Sequence, residues 1–296
     1  MEKIDLVYIL GNGSRWNNNE IRYSLRSVES FFPAAGEVFV IGECPEWLQN
    51  VTHIAKPDLY SNKILNAMVK YMAAAEDRRI SKDFVLMNDD FFFLKNTEEI
   101  PYYSRGTIAE MLNLHPSKNG YYFRSLWDTR KRLDAMGISD AIDFEVHAPM
   151  IFNKEKLKTV MGMVGPERAY ALRSCYGNLM GLTPEKTTDF KAANTTEFLV
   201  QKIRTDSHFL SINDALVADE DFRDWIGTMY WRKSKYELDE GGLKIPPGRP
   251  ISCRKYHARK EFRFGSKLIH KGDLLPKEVI DEIKSNPAMA DCWKWD

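Results

Sequence analysis

Three short apolar runs alternate with two segments of helical periodicity, and this alternation restricts the possible folds more than any other feature of the chain. Residues 5–10 (DLVYIL), 37–42 (EVFVIG) and 84–87 (FVLM) each have the length and content of a buried strand. Between the first two, Ile21, Leu25, Val28 and Phe32 recur at i, i+4, i+7 and i+11, an apolar helical stripe that Pro33 ends. Arg22 and Arg26 share another face of that helix, four residues apart. Between the second and third runs, residues 52–55 supply a further short strand. Residues 62–75 then place Leu65, Met68, Val69 and Met72 on one helical side. Strand, helix, strand, helix, strand is the layout of a parallel α/β sheet. Such sheets take ligands outside the carboxyl ends of their strands. The first run ends on Gly11-Asn12-Gly13-Ser14 and the third on Asn88-Asp89-Asp90, so both sequences stand where a ligand is expected.

Farther along, residues 154–163 and 184–203 have partly helical patterns, and residues 121–123 and 208–212 read as short strands. The chain holds 42 Lys+Arg and 42 Asp+Glu, a balance that argues against a globally basic nucleic-acid binder. Locally the charge is uneven. Nine basic residues fall between positions 241 and 271, opposed only by Glu261, and Gly and Pro punctuate residues 240–250. The expected division is a main domain at 1–240 and a small basic C-terminal appendage at 241–296, with residues 240–250 read as the linker. The appendage reads either as a solvated face or as a surface for an anionic acceptor. No apolar run reaches the roughly 18 residues of a membrane span. The N-terminus does not read as a signal peptide, and the four cysteines form no C-x-x-C pair. A cytoplasmic protein is the expectation.

Two adjacent carboxylates after an apolar strand, followed at once by the apolar run FFFL, are costly unless solvated, paired or bound to a cation. Asp89 and Asp90 suit a hard divalent ion, Mg²⁺ or Mn²⁺, which takes oxygen ligands and bridges to substrate phosphates. Asn213-Asp214 repeats the pattern after the strand-like FLSI, and the two pairs read as two walls of one metal-diphosphate site. Gly11-Asn12-Gly13-Ser14 lacks both the dinucleotide fingerprint and the Walker lysine. It reads equally as a strand-to-helix turn and as a loop admitting a nucleotide. His147, in EVHAP, reads either as a general base for an acceptor hydroxyl or as a structural residue. Arg173 has the planar fork suited to diphosphate oxygens, or that of a surface ion pair.

These residues belong to four ordered blocks. The first is DLVY with Gly13-Ser14. The second is EIRYSLRS, then PEWL, Asn66-Ala67 and NDDFF. The third is His147-Ala148-Pro149 with Arg173-Ser174. The fourth is FLSIND followed by SKYE. Together they resemble the Stealth family of capsular polysaccharide phosphotransferases and N-acetylglucosamine-1-phosphotransferase-like proteins, over about residues 5–237. Ile9-Leu10 and Arg15 stand where that family usually has a Thr-Trp pair and an acidic residue, and Glu43-Cys44 replaces its Gly-Gln. The resemblance implies a Rossmann-like, glycosyltransferase-A-like nucleotide-sugar transferase core. It further implies transfer of a sugar-1-phosphate from a UDP-sugar to a carbohydrate hydroxyl, with a divalent metal. Carried over by residue, Asn88, Asp89 and Asp90 would shape the metal and diphosphate site, and Asn213 with Asp214 would complete it. His147 would take the acceptor proton and Arg173 would offset phosphate charge. Arg22, Arg26 and Asn66, with Gly11, Asn12, Gly13 and Ser14, would support the donor. A second reading keeps the fold and donor but releases a nucleoside diphosphate. Its acceptor could be a hydroxylated base in DNA, tracked by the basic segment and its aromatic residues.

Overall fold

The computed structural model describes residues 2–118, 120–192 and 207–238, together with the backbone of four short strands beyond them. The three apolar runs are strands β1 (Ile4–Leu10), β2 (Ala35–Gly42) and β4 (Asp83–Asn88), and β3 is Thr52–Ile54. They pair in parallel in the order β3-β2-β1-β4, and β7 (Met150–Asn153) closes the sheet antiparallel to β4. Helix α1 (Asn19–Phe31) joins β1 to β2, and α2 (Lys63–Glu76) joins β3 to β4. The α/β sheet and its helices thus follow the sequence pattern.

The period-two alternation of the strands sorts their side chains onto two faces. Val7, Phe39, Ile41, Phe84 and Leu86 pack with Met68 and Ala74 of α2 and with Leu157 of α5 (Lys154–Val164). Leu6, Tyr8, Val38, Val40, Val85 and Met87 face the other way, onto Ile21, Leu25 and Val28 of α1. All of these residues are buried, so the sheet is covered on both faces as a parallel sheet must be.

Beyond Asn88 the chain leaves this sheet. Asp89 and Asp90 form a two-residue turn, and β5 (Phe91–Phe93) starts a second sheet. There β5 lies antiparallel to β10 (Phe209–Ile212), which pairs in parallel with β9 (Lys191–Ala192). The carboxylates between two apolar runs are therefore the hinge between two sheets. Residues 84–87 and Phe91–Phe93 are buried in their own sheets, and Asn88, Asp89 and Asp90 between them are left partly open.

Two expectations change. Residues 121–123 are no strand but the start of α4 (Tyr121–Ala135). The aromatic run has strand propensity, yet Leu126, Thr129 and Leu133 continue it at helical spacing and are buried. Within 184–203 the described residues are extended, not helical. The strand β8 (Glu185–Lys186) runs parallel to β6 (Tyr103–Ser104), and β9 follows it. Here backbone pairing with distant strands overrides local periodicity. Residues 193–203 lie outside the described residues, as does the expected 240–250 linker. Within residues 241–296, Tyr256–Ala258 pairs antiparallel with Trp293–Trp295, and Phe262–Phe264 with Lys267–Ile269. Among the described residues no helix is long and apolar enough to cross a membrane.

Candidate active site

In the order β3-β2-β1-β4 the connections diverge between β1 and β4, the switch point where open α/β sheets form their crevice. Ile9 pairs with Asn88, so the loop after β1 and the turn after β4 emerge side by side. A cleft of about 950 Å³ opens there. It is lined by Gly11, Asn12, Gly13 and Ser14, by Asn88, Asp89 and Asp90, and by Asn66, Asn213 and Asp214. The two Asn-Asp sequences, 123 positions apart in the case of Asp90 and Asn213, face one cavity because β5 and β10 pair.

The cleft is rich in charge. Asp89 is crowded: burial first, then the neighbouring Asp90 and Glu20, push its carboxyl up to about 8. Burial likewise raises Glu20, whose Oε2 accepts the Ser14 hydroxyl at 2.8 Å. Asp90 Oδ2 accepts Ser211 Oγ at 2.9 Å and lies 3.5 Å from Lys191 Nζ. Asn213 Oδ1 caps the short helix α7 (Asp214–Val217) by accepting the Leu216 amide, and Asp214 meets Arg15 in an exposed pair at 3.4 Å. Among the described residues no three His, Cys, Asp or Glu side chains converge as a ready metal cluster. The donor set is nonetheless all oxygen, and its carboxylates repel one another. A hard divalent cation relieves that repulsion, so the residues fit Mg²⁺ or Mn²⁺ in chemistry.

On the far wall, Lys70 is buried and donates to Leu10 O at 2.7 Å and to Asp58 Oδ1 at 2.6 Å. Gly42 lets this lysine through. Its φ is +118°, and a Cβ there would stand 2.0 Å from Leu10 O and 2.9 Å from Lys70 Cε. Asn66 shapes the same wall: its amide accepts from the Leu59 and Tyr60 amides and donates to Tyr60 O. Glu20, Asp58, Lys63, Lys70 and Lys191 all line the cleft and were not singled out from the sequence. Each is a lone polar residue of a helix, loop or short strand, and only the fold gathers them.

His147 and Arg173 do not line this cleft. His147 Nδ1 is 2.8 Å from Asp189 Oδ2, and its backbone N–H donates to Asp189 Oδ1 at 2.9 Å. Asp189 also pairs with Arg105 at 3.1 Å, and Arg105 with the buried Asp143 at 2.8 Å. Burial opposes the charge of Asp189, but His147 and Arg105 outweigh it and hold the carboxyl near 2. With Asp189 ionised, Nδ1 carries the proton and Nε2 is left as the basic nitrogen. Asp189 was missed because TTDF carries no local signal. Two residues on, Lys191 holds Asp90, so one short segment ties the His147 dyad to the cleft. Arg173 is 5% exposed; its Nη1 donates to Val146 O at 3.0 Å and Ala148 O at 2.7 Å, on either side of His147. Nη2 is buried without a hydrogen-bond partner among the described residues. In this arrangement Arg173 fixes the His147 backbone and makes no contact with the cleft.

Arg22 and Arg26 also stay out of the cleft. Their guanidinium groups converge on Glu237 in three hydrogen bonds, from Arg22 Nη1 and from Arg26 Nε and Nη2, each at 2.7 Å. Arg22 further lies over the Trp47 ring at 3.8 Å. Both arginines are consumed by a buried ionic junction, which explains why EIRYSLRS and SKYE occur together in one chain.

No protein-family model matches the sequence. Over 115 residues, 35% of this chain, it is 31% identical to the N-acetylglucosamine-1-phosphotransferase subunits alpha/beta of Mus musculus, and equally to those of Homo sapiens. The match spans only 9% of the length of those relatives. Among solved structures, the chain aligns with the catalytic domain of Drosophila beta1,4galactosyltransferase 7 in complex with xylobiose. The TM-score is 0.37 at 10% identity, over 95% of this chain and 98% of that one. Mouse xyloside xylosyltransferase 1 aligns with a TM-score of 0.34 at 10% identity, over 80% and 96%. Scores of this size carry no argument about shared function. The sequence match supports a distant relationship to part of the phosphotransferase.

Proposed function

We propose that the protein is a nucleotide-sugar-dependent transferase with a glycosyltransferase-A-like core, moving a sugar-1-phosphate from a UDP-sugar to an acceptor hydroxyl. The observation that carries this reading is the charged cleft at the β1/β4 switch point, where Asp89 and Asp90 face Asn213 and Asp214, with a histidine-aspartate dyad tied to its edge through Asp189 and Lys191. The partial match to a phosphotransferase supports the same reaction class.

In this reading the donor's diphosphate lies against the loop of Gly11, Asn12, Gly13 and Ser14, where glycines let the backbone come close. Asp89, Asp90, Asn213 and Asp214 would hold a Mg²⁺ or Mn²⁺ ion. When bound, that ion supplies positive charge against the diphosphate oxygens. His147 Nε2 takes the acceptor hydroxyl proton. The acceptor oxygen forms a bond to the β-phosphorus, the bond to the bridging oxygen breaks, and UMP leaves with that electron pair. Asp189 stabilises the imidazolium formed. Positioning does most of the work, as phosphoryl transfer requires.

The test is the identity of the released nucleotide. The full chain is incubated with Mg²⁺ or Mn²⁺, a panel of nucleotide sugars and glycan or hydroxymethylated-DNA acceptors, and products are separated chromatographically. Acceptor-dependent UMP is expected. Acceptor-dependent UDP would overturn attack at phosphorus and make the protein a glycosyltransferase, with the productive acceptor deciding between glycan and DNA.

A further inference from the structure

Helix α2 presents Lys63, Asn66, Ala67 and Lys70 to the cleft, at the spacing of one helical face. Two of them, Asn66 and Lys70, hold backbone that the hydrophobic core does not. In residues 55–61, between β3 and α2, no residue is buried, and Leu59 and Tyr60 are 75% and 50% exposed. Polar ties to α2 fix that loop instead: the Leu59 and Tyr60 amides donate to Asn66, and Asp58 accepts from Lys70. Residues 11–18, after β1, likewise include no buried residue. Beyond its middle, Ser14 Oγ accepts the Trp16 and Asn18 amides. At its root, Leu10 O accepts Lys70 Nζ.

One ammonium therefore braces both loops. Asp58 completes the brace from the opposite side. Its Oδ1 takes the lysine, and its Oδ2 stands 3.1 Å from where a Cβ on Gly11 would lie. The end of β2 belongs to the same arrangement: Gly42 leaves room for the Lys70 stem, and Gly42 O lies 2.8 Å from His53 Nε2 of β3. The ends of β1, β2 and β3 thus meet around one buried charge. Burying an ammonium is costly, and a methionine would fill much the same space without that cost, so packing alone does not account for a lysine here. The Lys70 side chain is 5% exposed and committed to Leu10 O and Asp58, so it acts on the loops and not on a ligand.

We propose that Lys70 is a positioning residue of the cleft: through Leu10 O and Asp58 it sets the shape of the Gly11-Asn12-Gly13-Ser14 loop in advance of binding. The inference rests on the transferase reading for what that loop receives, the nucleotide-sugar donor, and adds the pair of residues that prepares the loop for it.

The test uses the full chain as Lys70→Met, as Asp58→Ala and as the double variant, with hydrogen exchange read by mass spectrometry and UDP-sugar binding by calorimetry. Each single variant should speed exchange at residues 11–14 about tenfold while leaving the interior of β1 protected. Each should weaken UDP-sugar about tenfold and raise the donor KM to match, with kcat held within about twofold. The double variant should be no worse than Lys70→Met, because both substitutions cut the same brace. Asp58 lies in a loop and is only half-buried, so Asp58→Ala keeps the test decisive if Lys70→Met does not fold. Loop exchange unchanged in Asp58→Ala, exchange raised equally throughout the sheet, or additive losses in the double variant would each overturn the proposal. If UDP-sugar binds the parent and the variants equally, the positioning role falls and the donor reading stands. If loop exchange rises as expected but no UDP-sugar binds even the parent, the brace stands and the donor reading falls.

Discussion

Removing the carboxylate of Glu237 should cost the fold more than removing any residue of the cleft. Its side chain is 1% exposed, and those of Arg22 and Arg26 are 5% and 9% exposed. Glu237→Ala leaves two guanidinium groups buried without their counter-charge, and also strips the Ser234 amide and hydroxyl of their acceptor. Breaking a buried pair by deleting one partner costs about 3–5 kcal/mol. Titration gives a second route to the magnitude. Burial pushes the Glu237 carboxyl up, but hydrogen bonds from Arg26, the Ser234 amide and Arg22 prevail and bring it from its ordinary 4.5 to about 2. That drop corresponds to about 3 kcal/mol. Because the folded value is depressed, this stabilisation is present above pH 4.5 and is lost as pH falls through about 2. For a domain of this size, 3 kcal/mol lowers Tm by about 6–12 °C. Thermal unfolding followed by circular dichroism at pH 7 and pH 3 is the assay. The variant should melt far below the parent at pH 7, and the gap should narrow at pH 3. A Tm at pH 7 within about 2 °C of the parent would refute the reasoning.

Two further outcomes follow from the site. Asp189→Asn keeps the shape of the dyad but removes the charge that steadies the His147 imidazolium. It should lower kcat by about 10²–10⁴-fold with little change in donor affinity, read by steady-state kinetics beside calorimetry of UDP-sugar binding. Asp89→Asn relieves the crowding among Asp89, Asp90 and Glu20. It should raise the Tm of the metal-free protein at neutral pH while abolishing the Mg²⁺-dependent rise in Tm, and scanning fluorimetry with and without Mg²⁺ checks both signs.

Much of the first 94 residues was legible because the signals there are local. Buried strands and amphipathic helices announce themselves within a dozen residues, and the Asn88-Asp89-Asp90 turn stands out because charge interrupts apolar sequence. The cleft's other wall was legible only at Asn213-Asp214, where the same interruption recurs. Asp58, Lys70 and Asp189 carry no such contrast, since each is one polar residue among others. Arg22 and Arg26 were legible as two cations on one helix face, but their shared partner is 215 and 211 residues away, so the buried junction they form with Glu237 was not. Helix α4 was lost because three aromatic residues at its start have strand propensity, and its buried face becomes visible only when the pattern is followed to Leu133.

The passage from β4 to β5 sets a limit on length as well as on charge. Phe91 and Phe93 pack toward α1, and Phe92, between them, stacks against Tyr230 on the opposite side. Side chains on a strand alternate, so one residue inserted between Asn88 and Phe91 would exchange these faces. Phe92 would have to enter the space of Phe91 and Phe93, and both of those would be driven toward Tyr230. A deletion would do the same in reverse and would also shorten the reach between the two sheets. Substitutions in this turn can alter its chemistry and leave the scaffold intact, whereas a change in the number of its residues cannot be absorbed. Variation by insertion and deletion should therefore be confined to other loops of the cleft rim.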